Sequence, residues 1–88
     1  MASYKVCFKD SVRKDLKNRP KKDVLRISAK IESLAENPTP PQAEMLSGDT
    51  KYRIRQSVYR ILYQIEEDIL MVCIVKVGLR RDVYRNLG

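Results

Sequence analysis

Five arginines fall between positions 53 and 81, at Arg53, Arg55, Arg60, Arg80 and Arg81, with tyrosines interleaved along the chain. Guanidinium groups grip phosphate oxygens through paired hydrogen bonds and keep their charge at any physiological pH, so a group of them suits a phosphodiester and serves poorly as a base. RNA cleavage without a metal needs such a group. A 2′-hydroxyl attacks the adjacent phosphorus in line, two protons move, and charge builds on the phosphoryl oxygens. The chain has no His, so proton transfer falls to Tyr, Lys, Asp, Glu or Cys. Tyr84 lies in sequence between Arg80, Arg81 and Arg85, whose charges favour phenolate and lower its pKa from about 10. It is the candidate proton mover; Glu44 is a second candidate base. The bland alternative is a solvated cationic strand face.

The segment that must position these groups starts at Lys51. Lys-Tyr-Arg-Ile-Arg alternates basic and apolar residues at the period of a strand, where successive side chains point to opposite faces. Arg53 and Arg55 therefore share one face, and Tyr52 and Ile54 the other. A strand folding back antiparallel returns Arg60 beside them. Lys51 and Arg81 extend the set of candidate phosphate contacts.

The 88 residues leave room for one small domain, 1–88, and the net charge of +7 draws polyanions to it: nucleic acid, an acidic protein or an anionic membrane surface. A membrane span is excluded, because the longest apolar run, Ile69 to Val75, is strand length and falls short of the ~20 residues a helix needs. No secretory signal is visible at the N-terminus. Two cysteines without His cannot complete a zinc site; Cys7 and Cys73 are expected as reduced thiols in the core of a cytoplasmic protein. No metal or cofactor is implied.

In chain order, Tyr4 to Phe8 reads as a strand. A short helix follows, capped by Asp10 or Ser11, with Val12 and Leu16 one turn apart. The clearest helical period is Val24, Ile27, Ser28, Ile31, Leu34 and Ala35, entered through Pro20 and stopped by Pro38. Ala43 to Leu46 allows a short strand. Three strands follow, over about 51–57, 58–66 and 69–77, the last pair joined by an acidic turn at Glu66 to Asp68 and hence antiparallel. The plan is an α+β domain in two layers: an N-terminal strand, a two-helix hairpin, then a twisted antiparallel sheet.

Tyr-Arg-Ile-Arg at 52–55, Tyr-Arg-Ile-Leu-Tyr at 59–63 and Val-Gly-Leu-Arg-Arg-Asp-Val-Tyr-Arg at 77–85 resemble the RelE/ParE toxin superfamily, and its RelE branch in particular. The Tyr-Lys-Val-x-Phe start, the Ile-x-x-Leu-x-x-Asn-Pro exit of the second helix and the Leu-x-Gly at 46–48 extend the resemblance over nearly the whole chain. It implies the RelE-like fold and a toxin that enters the ribosomal A site and cuts mRNA there. It also implies a cognate antitoxin that wraps the toxin, which is monomeric alone and oligomeric in that complex. By resemblance Arg60 and Arg80 hold and neutralise the phosphate, while Tyr84 acts on the 2′-hydroxyl proton. Arg53 and Arg55 stand where the enteric form of RelE has lysines, and Leu79 stands where many relatives carry His. ParE-type members share the architecture and poison DNA gyrase without cutting RNA; the Arg-Arg-Asp-Val-Tyr ending favours the nuclease branch. A bare nucleic-acid-binding module is the third reading.

Overall fold

A strand with apolar side chains on both faces needs neighbours on both edges, and β5 (Met71–Leu79) has them: it lies between β1 (Lys5–Phe8) and β4 (Tyr59–Glu66). The computed structural model describes residues 3–46 and 50–79. Beyond β4 come β3 (Lys51–Gln56) and the two-residue β2 (Glu44–Met45), giving the order β1-β5-β4-β3-β2. The fold is α+β. Strands β2 to β5 pair antiparallel, whereas β1 joins β5 in parallel, so the sheet is mixed. A parallel partner requires a long crossover. Here α1 (Asp10–Lys17) and α2 (Lys21–Glu36) lie in the connection that leaves β1.

Both helices pack on the sheet, α1 against β5 and α2 against β1, β3 and β5. The i, i+3, i+4 spacing puts Ile27, Ile31 and Leu34 on one side of α2, and all three are buried with Val12 of α1. They meet Ile54, Ile61, Tyr63, Ile65, Val72, Ile74 and Val77 of the sheet. Burying each such aliphatic side chain is worth about 1.5–3 kcal/mol, so this helix-facing side is where the fold gains its stability. Lys76, the charge in the otherwise apolar fifth strand, reaches Asp15 of α1 at 3.2 Å.

Several boundaries differ from expectation for local reasons. Lys9 occupies the N-cap of α1 and no side chain caps it; Asp10 is instead the first helical residue, where a carboxylate complements the helix dipole. Residues 57 and 58 leave the strands to close a two-residue hairpin between Gln56 and Tyr59, with Ser57 in the left-handed region at φ 57°. The acidic turn becomes a 3-10 turn, Glu67–Ile69, ending on Leu70 at φ 49°, so β5 begins later than its apolar run.

One further reading is corrected. Cys7 and Cys73 are joined in a disulfide rather than held as thiols, because they face each other as partners in the parallel β1–β5 register. The argument for a reducing compartment from free thiols therefore falls. Tyr52 lies on the helix-facing side, opposite Arg53 and Arg55 as alternation requires, and Tyr59 and Tyr63 join it there. Tyr63 donates to the Pro38 carbonyl at 2.6 Å and stacks on Tyr52 with ring centroids 5.7 Å apart. Tyr59 donates to Asp23 Oδ2 at 2.6 Å, and Arg19 lies over its ring at 5.5 Å. Each phenol thus ties a strand to the helical layer or to the proline-rich connector after it. No helix among the described residues is long and apolar enough to cross a membrane.

Candidate nucleic-acid interface

The strand alternation that sends Tyr59, Ile61 and Tyr63 into the core sends Arg60 and Leu62 to the other side of the sheet. The β3–β4 register places Arg55 directly opposite Arg60 and Arg53 opposite Leu62. On the far edge, Glu44 of β2 is the partner of Arg53. Three guanidiniums and one carboxylate are thereby gathered by backbone pairing alone. Together with Gln42 they line a cleft of about 340 Å³.

The groups in this cleft are unequal. Arg60 is 4% exposed, buried although charged. Its register partner on β5 is Gly78, so on that side the neighbouring strand presents no side chain against the long arginine stem. Among the described residues, the Arg60 side chain donates one hydrogen bond, from Nη1 to the Tyr59 carbonyl at 3.4 Å. Arg53 donates to Glu44 in an ion pair at the sheet edge. That hydrogen bond, then the Arg53 charge, hold the Glu44 carboxyl below the usual carboxylate range against an opposing desolvation, and Arg55 and Arg60 add to the effect. Glu44 consequently stays ionised near neutral pH and is a weak base, which removes it as the proton acceptor considered from sequence.

Of the expected site residues, Arg53, Arg55 and Arg60 are brought together. Lys51 shares the alternation of Arg53 and Arg55 on β3 but pairs with Gln64 and does not line the cleft. Arg80, Arg81 and Tyr84 lie outside the described residues. Leu79, in the place of a His in many relatives, pairs with Tyr59 and packs against the core. Gln42 and the placement of Glu44 were missed. The alternation of Arg53 could have located Glu44 had the register of so short a strand been known. Among the described residues no cluster of His, Cys, Asp or Glu is arranged to hold a metal ion.

The two-layer α+β fold that presents this cleft matches solved structures of RelE toxins. A chain of the RelBE2 toxin–antitoxin complex from Mycobacterium tuberculosis superposes with a TM-score of 0.80 at 25% identity, over 91% of this chain and 94% of that one. The archaeal RelE–RelB complex from Pyrococcus horikoshii contributes a match at TM-score 0.77 and 26% identity, over 89% and 96% of the two chains. A protein of Methanocaldococcus jannaschii named as the toxin RelE1 is 30% identical over 79 residues, or 85% of this chain and 88% of its own length. The family model for the ParE toxin of type II toxin–antitoxin systems, parDE, matches residues 6–84. The chain belongs to this RelE/ParE family of toxins of type II toxin–antitoxin systems.

Proposed function

We propose that this toxin is a ribosome-dependent endoribonuclease that cuts mRNA in the A site. The observation that carries the proposal is the convergence of Arg53, Arg55 and Arg60 on one cleft, a cation density matched to a phosphodiester. In the reaction, the 2′-oxygen forms a bond to phosphorus, the 5′-oxygen leaves with its electron pair and takes a proton from water, and the products are a 2′,3′-cyclic phosphate and a 5′-hydroxyl. Arg60 and Arg80 hold the phosphate and stabilise its added charge, Arg53, Arg55, Lys51 and Arg81 bind the flanking strand, and Tyr84 takes the 2′-hydroxyl proton. The route uses no metal or cofactor. The protein acts in the cytoplasm as one domain spanning residues 1–88. Its antitoxin, the class of partner that RelB is to the two structural relatives, covers part of the cationic and apolar surface with an acidic or amphipathic segment. The toxin is a monomer until that complex forms.

The test is to map mRNA 5′ ends after brief induction in a translating extract, with and without ribosomes. Cuts inside codons that appear with ribosomes and vanish with Arg60→Ala support the proposal; uncut messages during growth arrest overturn it. The second reading, a ParE-type poison that binds DNA gyrase, is favoured by the description of the matching family. It predicts DNA damage while translation is initially intact.

A further inference from the structure

The cleft already contains an anion. Glu44 reaches it from β2, accepts a hydrogen bond from Arg53, and carries a side chain 61% exposed that is held by no packing comparable to the core's. Its charge is also felt by Arg55 and Arg60, the other two cations lining the same space. A carboxylate oxygen on a guanidinium uses the hydrogen-bond geometry that a phosphate oxygen would use. We infer that Glu44 is a built-in competitor for phosphate: it occupies the phosphate position on Arg53, and an incoming nucleic-acid strand must displace it before the cleft can grip.

The edge location makes this workable. Strand β2 has two residues, and both are exposed. Swinging the Glu44 side chain away from Arg53 therefore exposes no core and breaks no ladder bond. A surface ion pair of this kind is weak, so it lowers affinity for loose polyanions without closing the site to a strand that several cations contact at once. The consequence is selectivity. Stray single strands that offer one or two phosphates are disfavoured, and a strand presented in an ordered, multiply contacted form is accepted.

This inference rests on the cleft being a phosphate-binding site, and its test reads binding instead of cleavage so that the two can fail separately. The probe is a fluorescent 2′-O-methyl RNA of about eight nucleotides, which the proposed chemistry cannot cut and which is within the length one small domain covers. The intact chain is titrated as wild type, Glu44→Gln, Glu44→Ala and Glu32→Gln. Glu32 is exposed on α2, on the other side of the sheet, and its substitution changes net charge equally. Glu44→Gln and Glu44→Ala should bind about three- to fivefold more tightly at low salt, with the slope of log affinity against log salt steeper by about 0.7, the value for one more phosphate contact on a single strand. Glu32→Gln should change affinity less than twofold. Equal gains for the Glu32 and Glu44 variants would reduce the effect to net charge and overturn the inference. Weaker binding by Glu44→Gln, with an unchanged circular dichroism spectrum, would make Glu44 a residue that orients Arg53 and would overturn it too. A chain that cuts mRNA but shows no Glu44 effect refutes this inference alone. A chain that cuts nothing but binds tighter without Glu44 refutes the nuclease alone.

Discussion

Replacing Arg60 with Met should stabilise the fold and disable the toxin. Arg60 and Arg55 are cross-strand partners, and like charges directly opposite one another cost about 0.2–1 kcal/mol. Arg60 also stays charged at 4% exposure, where loss of hydration is not offset by a hydrogen-bonded carboxylate among the described residues. Its one side-chain bond there, 3.4 Å to the Tyr59 carbonyl, is long and returns little. Glu44 offsets part of the cost from a distance, and Met, which matches the aliphatic stem of the arginine, retains its packing. The net gain is about 1 kcal/mol, which for a domain of this size raises the melting temperature by roughly 4–8 °C. Loss of a preorganised donor to the phosphoryl oxygens should lower cleavage by about 10²–10³-fold. Thermal melts by circular dichroism and primer extension in a translating extract read the two effects on one preparation. A melting point lowered by the substitution would make Arg60 a structural cation, and the reasoning would fail. A raised melting point with undiminished cleavage would show that the cleft does not hold the scissile phosphate.

The phenols on the helix-facing side set an alkaline limit. Tyr59 is raised by its bond to Asp23, by burial and by the Asp23 charge, and Tyr63 by burial and then by Tyr52. Both keep their protons longer when folded, so their stabilisation is present below about pH 10 and is lost as pH rises above it. In an ultraviolet titration at least two of the five tyrosines should ionise only as the fold is lost; joint ionisation of all five with an intact dichroism spectrum would contradict this. The Cys7–Cys73 bridge, closing a sequence separation of 66, should contribute about 2–4 kcal/mol. Reductant should lower the wild-type melting temperature by roughly 8–30 °C and leave a Cys7→Ser, Cys73→Ser double variant unmoved; two free thiols titrated in denatured protein purified without reductant would refute the bridge.

Local period carried much of the architecture. The spacing of Ile27, Ile31 and Leu34 defined α2 between Pro20 and Pro38 because a packed helix must repeat its apolar face. The Arg53, Arg55 and Arg60 grouping was also legible, since alternation assigns the first two to a face and a tight hairpin returns the third. Pairing between distant strands was not legible. The parallel place of β1, and with it the disulfide, depends on a crossover through both helices that no local pattern announces. The side taken by Tyr52 was legible too, because alternation sends it and Arg53 to opposite faces of one strand. Glu44 eluded assignment because two residues carry too little pattern to fix a register. Arg80, Arg81 and Tyr84 have clear sequence signals but lie outside the described residues.

Nuclease and gyrase poison can share this scaffold, so the distinction between them lies in proton transfer and not in cation density. The described part of the cleft gathers Arg53, Arg55 and Arg60, which in the proposed reaction grip the phosphate and stabilise its charge. Its carboxylate is held ionised and weakly basic by those same arginines. Tyr52, Tyr59 and Tyr63 lie across the sheet from it, and burial and hydrogen bonding keep the phenols of Tyr59 and Tyr63 protonated. Lys51 stands beyond the cleft lining. For the proposed cleavage, then, the 2′-hydroxyl proton goes to a group outside the described residues, Tyr84 in the proposed mechanism, or to one contributed by the ribosome. Those two routes separate cleanly: Tyr84→Phe abolishes cutting on the first and spares it on the second, while binding of a non-cleavable strand is retained on both.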